Sequence, residues 1–174
     1  MKMFATTVLA AGALVLTASS VSAQGVNDAQ IASIVVTANQ VDIDAGKLAA
    51  TQASSAEVKA FGKQMATDHA GVNKQAVALV TKLKVTPEDN PTSKSLKQGG
   101  EDNVTNLRSL KGAAFDKAYI DHEVVYHQAV LDAVDKTLVP NAKNEELKAL
   151  LVKVRPAFVA HLEHAKHVQA SLAK

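Results

Sequence analysis

Residues 54–83 read SSAEVKAFGKQMATDHAGVNKQAVALVTKL, and their spacing decides the fold class. Val58, Phe61, Met65, Val72, Ala76, Leu79 and Leu83 recur at steps of three, four or seven. That is one face of an α-helix, not the two-residue alternation of a strand. Ser54, with Glu57 three residues on, predicts a capping box in which side chains and backbone satisfy each other's free donors. His69 falls on the same line, four residues after Met65 and three before Val72.

The same period extends outward in both directions. Upstream, Ile31, Ile34, Val35, Ala38, Val41, Ala45, Leu48 and Ala49 predict a helix from Asn27 or Asp28 to about Ala50. Downstream, Pro87, Pro91 and Gly99-Gly100 predict a loop from Lys84 to Gly100 with one short helical turn. A shorter helix over Glu101–Leu110 follows, ended by Gly112. From Ala113 to about Leu138, Ile120, Val124, Leu131, Val134 and Leu138 line a third long helix, and Pro140-Asn141 turns the chain. The last helix covers about Glu145–Leu172, with Pro156 inside it predicting a kink. Four long amphipathic helices with one long middle connection read as an all-α four-helix bundle.

The N-terminal residues predict an address. Lys2 precedes an apolar run from Phe4 to Leu16, and Val21-Ser22-Ala23 supplies small residues for cleavage after Ala23. The run is shorter than the roughly 20 residues a bilayer-spanning helix needs. The expectation is a cleavable signal peptide at 1–23, a single helical domain at 24–174, and a periplasmic or secreted protein. No later segment reads as transmembrane.

Composition narrows the function classes. Lys and Arg number 19 against 17 Asp and Glu, a formal charge of +2, without the clustered basic surface that nucleic acid demands. Cysteine is absent, so a folded domain in an oxidising compartment relies on packing alone. After residue 23 the aromatics are Phe61, Phe115, Tyr119, Tyr126 and Phe158, too few for stacking sugars or bases. No nucleophile elbow, phosphate-binding glycine loop or HExxH pair is present.

What stands out is polarity on apolar lines. His127 lies three residues after Val124 and four before Leu131, and His161 three after Phe158 and four before Ala165. Asp42 lies between Ala38 and Ala45, so each long helix directs one candidate ligand inward. Bundles build metal sites this way, and imidazole with carboxylate suits Zn, Cu, Fe or Ni. Glu123, four residues before His127, is a further candidate. The competing reading is neutral core histidines bonded to Asp68, Asn73, Tyr119, Asp121 or Glu123. The height of each residue depends on the connection. If the long connection crosses the bundle, His127 sits near His69 and His161; in simple up-down-up-down order, His122 joins them instead. His164 and His167 are expected on an exposed face.

Several stretches also resemble a known family. They are Ile34–Ala49, Ser54–Gly62, Met65-Ala66-Thr67-Asp68-His69, Phe115-Asp116-Lys117-Ala118-Tyr119, His127, and Pro156 with His161-Leu162. Together they resemble a bacterial envelope family catalogued as a domain of unknown function and often labelled "predicted outer membrane protein". The resemblance implies a ferritin-like bundle with a crossing middle connection, and matching polar positions Asp42, Asp68, His69, His127 and His161. Asp42 stands where such proteins more often carry Glu, and His122 and His164 match nothing in the pattern. The label sits poorly with this chain, because outer-membrane spans are usually strand barrels.

Three functions follow. The first is a non-enzymatic exported bundle with a structural or stress-related binding role. The alternative is a transition-metal storage or sequestration protein, with His69, His127 and His161 as ligands and Asp42 or Glu123 completing the shell. The second alternative is a histidine-based pH-responsive protein. A ferritin-type oxidase would be the enzyme version of the metal reading, and the Glu-x-x-His pairs of dinuclear-iron bundles are missing.

Overall fold

The computed structural model describes residues 25–173; the expected signal peptide at 1–23 lies outside the described residues. Every regular element among them is a helix, so the protein is all-α. Helix α1 spans Asp28–Gln52, α2 Ala56–Leu83, α3 Pro91–Ser109 and α4 Gly112–Ala133. A π-helical turn, Val134–Leu138, joins α4 to the short α5, Val139–Asn141, and α6 spans Glu145–Leu172. No helix among the described residues is long and apolar enough to cross a membrane.

Cross-helix contacts give the directions. Asn39 of α1 meets His69 of α2, and further back Val36 meets Asn73, so the two run antiparallel. Along α2 and α6, Glu57 pairs with Ser171, Asp68 with His161 and Lys82 with Glu146, again antiparallel. Helix α4 and the π-helical turn that continues it oppose α6, through Asp121 with Gln169 and Asp135 with Arg155 respectively. Helices α2 and α4 therefore start at the same end, and the chain returns to that end through α3. That return is visible at both ends of α3. Asn90 donates to the Gln30 carbonyl, while Gln52 donates to the carbonyls of Leu107 and Leu110.

Helix α3 departs from expectation. The loop is only 85–90, and the helix begins at Pro91 and runs through Gly99-Gly100. Asn90 caps it by accepting from the Thr92 and Ser93 amides, and Pro91 supplies a preset first-turn φ at no hydrogen-bond cost. Gly100 is there for proximity, not to break the helix: a Cβ on it would lie 2.5 Å from Val41 Cγ2. The predicted Ser54–Glu57 box is also replaced. Ser55 caps α2, Glu57 accepts from Ser171, and Ser54 is held by Asp116.

Two aspartates tie the ends together. Asp116, buried at the start of α4, accepts from the Ser54 amide (2.9 Å), the Ser54 hydroxyl (2.5 Å) and the Ser55 amide (2.8 Å). Asp28 accepts from the Lys143 and Asn144 amides at the opposite end. Between them the apolar core falls into separate clusters. One gathers Ala49, Phe61, Met65, Phe115, Tyr119 and Ala165; another gathers Ile31, Ile34, Ala76, Leu138 and Leu151; Val72, Leu131, Val154 and Phe158 form a third. On every long helix, a buried polar residue lies between the first cluster and the other two.

Candidate metal centre

That polar belt brings together all five predicted ligands. Asp42 comes from α1, His69 from α2, Glu123 and His127 from α4, and His161 from α6, and each is at most 3% exposed. The ring centroids of His69, His127 and His161 lie 5.2–5.5 Å apart. Each ring offers one nitrogen within 4.8 Å of the other two, and the same holds for the set Asp42, Glu123 and His127. The level at which they meet follows from the return through α3, which sets His127 and not His122 beside His69.

The outer face of each imidazole is satisfied by protein. Asn39 donates its amide to the Val35 carbonyl (2.8 Å), which leaves its Oδ1 to accept from His69 Nδ1 at 2.7 Å. His161 Nε2 donates to Asp68 Oδ2 at 3.0 Å. His127 Nδ1 donates to the Glu123 carbonyl at 3.1 Å, one turn back on its own helix. Each donation fixes a tautomer, so the remaining nitrogen carries a lone pair. Those nitrogens, His69 Nε2, His127 Nε2 and His161 Nδ1, are buried and have no hydrogen-bond partner.

Lone pairs on three neighbouring buried rings cannot bond to one another. An unsatisfied buried acceptor costs about 1–3 kcal/mol, and three together call for a shared electron-pair acceptor. Both Glu123 carboxyl oxygens and the Tyr119 hydroxyl are likewise buried and without partners. Asp42 Oδ2 stands 3.4 Å from His69 Nε2, and Glu123 Oε2 3.4 Å from His127 Nδ1.

Burial dominates the electrostatics of the cluster. Burial, with the charges of His127 and His161 adding to it, pulls His69 down to about 2, so its ring is neutral at any physiological pH. Burial raises Glu123 to about 7, the Asp42 carboxyl and Tyr119 hydroxyl beside it pulling the other way. Asp42 is held well above the ordinary carboxylate range, by burial first and then by Glu123. Burial also lowers His161, against the opposing pull of Asp68. A cation at the centre would reverse this balance by favouring both carboxylates in their charged form.

The competing reading of satisfied core histidines is half realised: Asp68 and the Glu123 backbone do serve as partners, whereas Asn73 bonds the Val36 carbonyl and Asp121 pairs with Lys117. His122 stacks on Tyr126 at 5.6 Å, away from the three-ring set, and His164 bonds Gln64. His167 is exposed. Sequence reasoning missed Asn39, the residue that orients His69. Its signal was available: Val35, Asn39 and Asp42 step by four and three along the inward face of α1.

A family model described as "Domain of unknown function (DUF4142)" matches residues 14–168. No curated protein and no solved structure matches the chain.

Proposed function

We propose a function from the site itself, because the chain belongs to a family, DUF4142, that assigns none: the protein binds a divalent transition-metal ion at the centre of its helices. The observation that carries this is the trio of buried imidazoles, each held on one nitrogen by Asn39, Asp68 or the Glu123 carbonyl, with the other nitrogen buried and unpartnered. Outer-sphere acceptors of this kind orient histidine ligands and raise their basicity. His69, His127 and His161 are the ligands, and Glu123 or Asp42 supplies an oxygen. Tetrahedral ligation at about 2.1 Å brings nitrogens to about 3.4 Å of one another, a closure of up to about 1.4 Å from the spacing here. The imidazole-rich set suits zinc, copper, nickel or iron.

The role is storage or sequestration without turnover. The return of the chain through α3 supports a ferritin-like arrangement, and the donor set departs from the paired Glu-x-x-His pattern of dinuclear-iron bundles. Export belongs to the same reading. Lys2, the apolar run and Val21-Ser22-Ala23 support cleavage after residue 23, which N-terminal sequencing of the secreted protein checks.

The test is thermal unfolding of the chelator-stripped protein titrated with Zn, Cu, Ni and Fe, beside His69→Ala. A metal present at 1,000 times its Kd adds about 4 kcal/mol to the native state by mass action, and His69→Ala loses that gain. If no metal shifts the transition, the ligand reading is wrong and the histidines are structural.

A further inference from the structure

Next to the histidine cluster lies a partly open pocket of about 140 Å³ whose exposed wall is almost wholly apolar. Ile34, Val130, Leu138, Leu151 and Phe158 contribute to it, and Thr92 and Leu96 of α3 cover part of one side. Asp42 of α1, His69 of α2, Tyr126 of α4 and Phe158 of α6 are the wall residues nearest the metal-ligand positions along their helices. The cavity therefore runs from the cluster towards the Ile31–Leu147 end of the core, parallel to the helices.

Its origin is visible in the backbone. The α4 ladder widens into the π-helical turn Val134–Leu138, and both buried residues of that turn, Val134 and Leu138, line the cavity. A π-turn carries one residue too many for α-helical packing, and such turns recur at functional sites. Here its bulge coincides with a gap in the packing between α1, α4 and α6.

We propose that this cavity is a binding site for one small nonpolar molecule, no larger than a six-membered carbon ring, seated against the His69 and Asp42 end of the cluster. Size and lining specify the ligand class. A sealed engineered cavity of about 150 Å³ lined by Leu, Ile and Phe takes up benzene or xenon, and this partly open pocket matches it in size and lining. A wall this poor in polar groups offers a polar or charged ligand nothing to replace its hydration. Seating needs no ion in the cluster, so the inference stands apart from the metal reading. If an ion is bound, the nonpolar guest lies beside its ligands.

The test uses metal-free protein and two probes, xenon and benzene, followed through methyl resonances in 13C-resolved NMR spectra. Saturable shifts are expected at Val130, Val134, Leu138 and Leu151, with methyls of the Phe61–Ala165 cluster unmoved. Ala133→Leu adds side-chain volume at the wall and weakens binding at least tenfold; Ala38→Leu, from the facing helix, is the second filling variant should the first not fold. Shifts that fail to saturate, shifts spread evenly over the core, or unchanged affinity in a folded filling variant would overturn the site. A metal titration of the same sample reads the metal reading separately, since neither filling variant alters a ligand.

Discussion

Asp68 Oδ2 lies 3.0 Å from His161 Nε2, with the aspartate side chain 43% exposed and the histidine 4%. This pair is where the buried belt reaches solvent. Asp68 positions His161: by taking the Nε2 proton it turns the Nδ1 lone pair inward. Asp68→Ala is expected to weaken metal binding by about 10–100-fold and to cost the metal-free protein about 1–3 kcal/mol, because the buried His161 Nε2 proton loses its acceptor. Asp68→Asn, whose carbonyl can still accept, restores most of the affinity. Competition titration against a chromophoric chelator measures both; equal affinities in all three proteins would remove Asp68 from the site.

Stability against pH should separate Glu123 from His69. Glu123 is raised from 4.5 to about 7 in the folded protein. Its contribution is full below pH 4.5 and is lost as pH rises through 7, about 3 kcal/mol at 1.36 kcal/mol per unit. His69 is lowered from 6.5 to about 2, so its contribution is full above pH 6.5 and falls as the unfolded chain takes up a proton below that. Asp42, also raised, acts in the direction of Glu123, and His161, also lowered, in the direction of His69. In metal-free protein the two trends oppose each other between pH 4.5 and 6.5, and the profile there is shallow. Glu123→Gln weakens the first of them, both directly and by removing the charge that, after burial, raises Asp42, so its stability should climb with pH across that window more steeply than that of the unaltered protein. Urea denaturation at half-unit pH steps tests this, and parallel curves for the two proteins would refute it.

Removing the Asp116 side chain takes three hydrogen bonds from the α1–α2 turn. Asp116→Ala is expected to cost about 3 kcal/mol, since a bond to a charged group contributes about 1.5–3 kcal/mol and its loss strands partly buried donors. Equilibrium unfolding in denaturant measures the loss, and a cost below about 1 kcal/mol would show that the turn holds itself.

Two glycines of α1 and α2 should respond oppositely to alanine. A Cβ on Gly46 would sit 2.7 Å from the Gly62 carbonyl oxygen and 2.9 Å from the Ala66 nitrogen, both rigid backbone atoms. Gly46→Ala must push the helices apart and is expected to destabilise by about 1–3 kcal/mol. Gly71 is exposed and a Cβ there meets nothing within 4 Å. Gly71→Ala should stabilise by about 0.5–1 kcal/mol, because alanine surrenders less backbone freedom in a helix. Paired melting curves decide; a stabilised Gly46→Ala would contradict the close approach.

The four long helices were legible in the sequence because each carries an apolar face at period 3.6, and period is a local property of the chain. The inward lines of His69, His127, His161 and Asp42 were legible for the same reason. Helix α3 was not. Its face is polar and carries Gly99-Gly100, and only the nearness of Val41 explains why a glycine sits inside a helix. Nor could spacing choose between His122 and His127. Both lie on α4, and which one reaches His69 depends on the end at which α4 begins. That is decided by the path of α3 and by Asp116 gripping Ser54 and Ser55. Asn39 and Asp68 became recognisable as the orienting partners once the helices were side by side. Periodicity assigns a residue to a face, and a contact within one turn of α4 sets the His127 tautomer; height along the helix and the tautomers of His69 and His161 follow from contacts between residues 30 to 93 positions apart, which tertiary packing alone establishes.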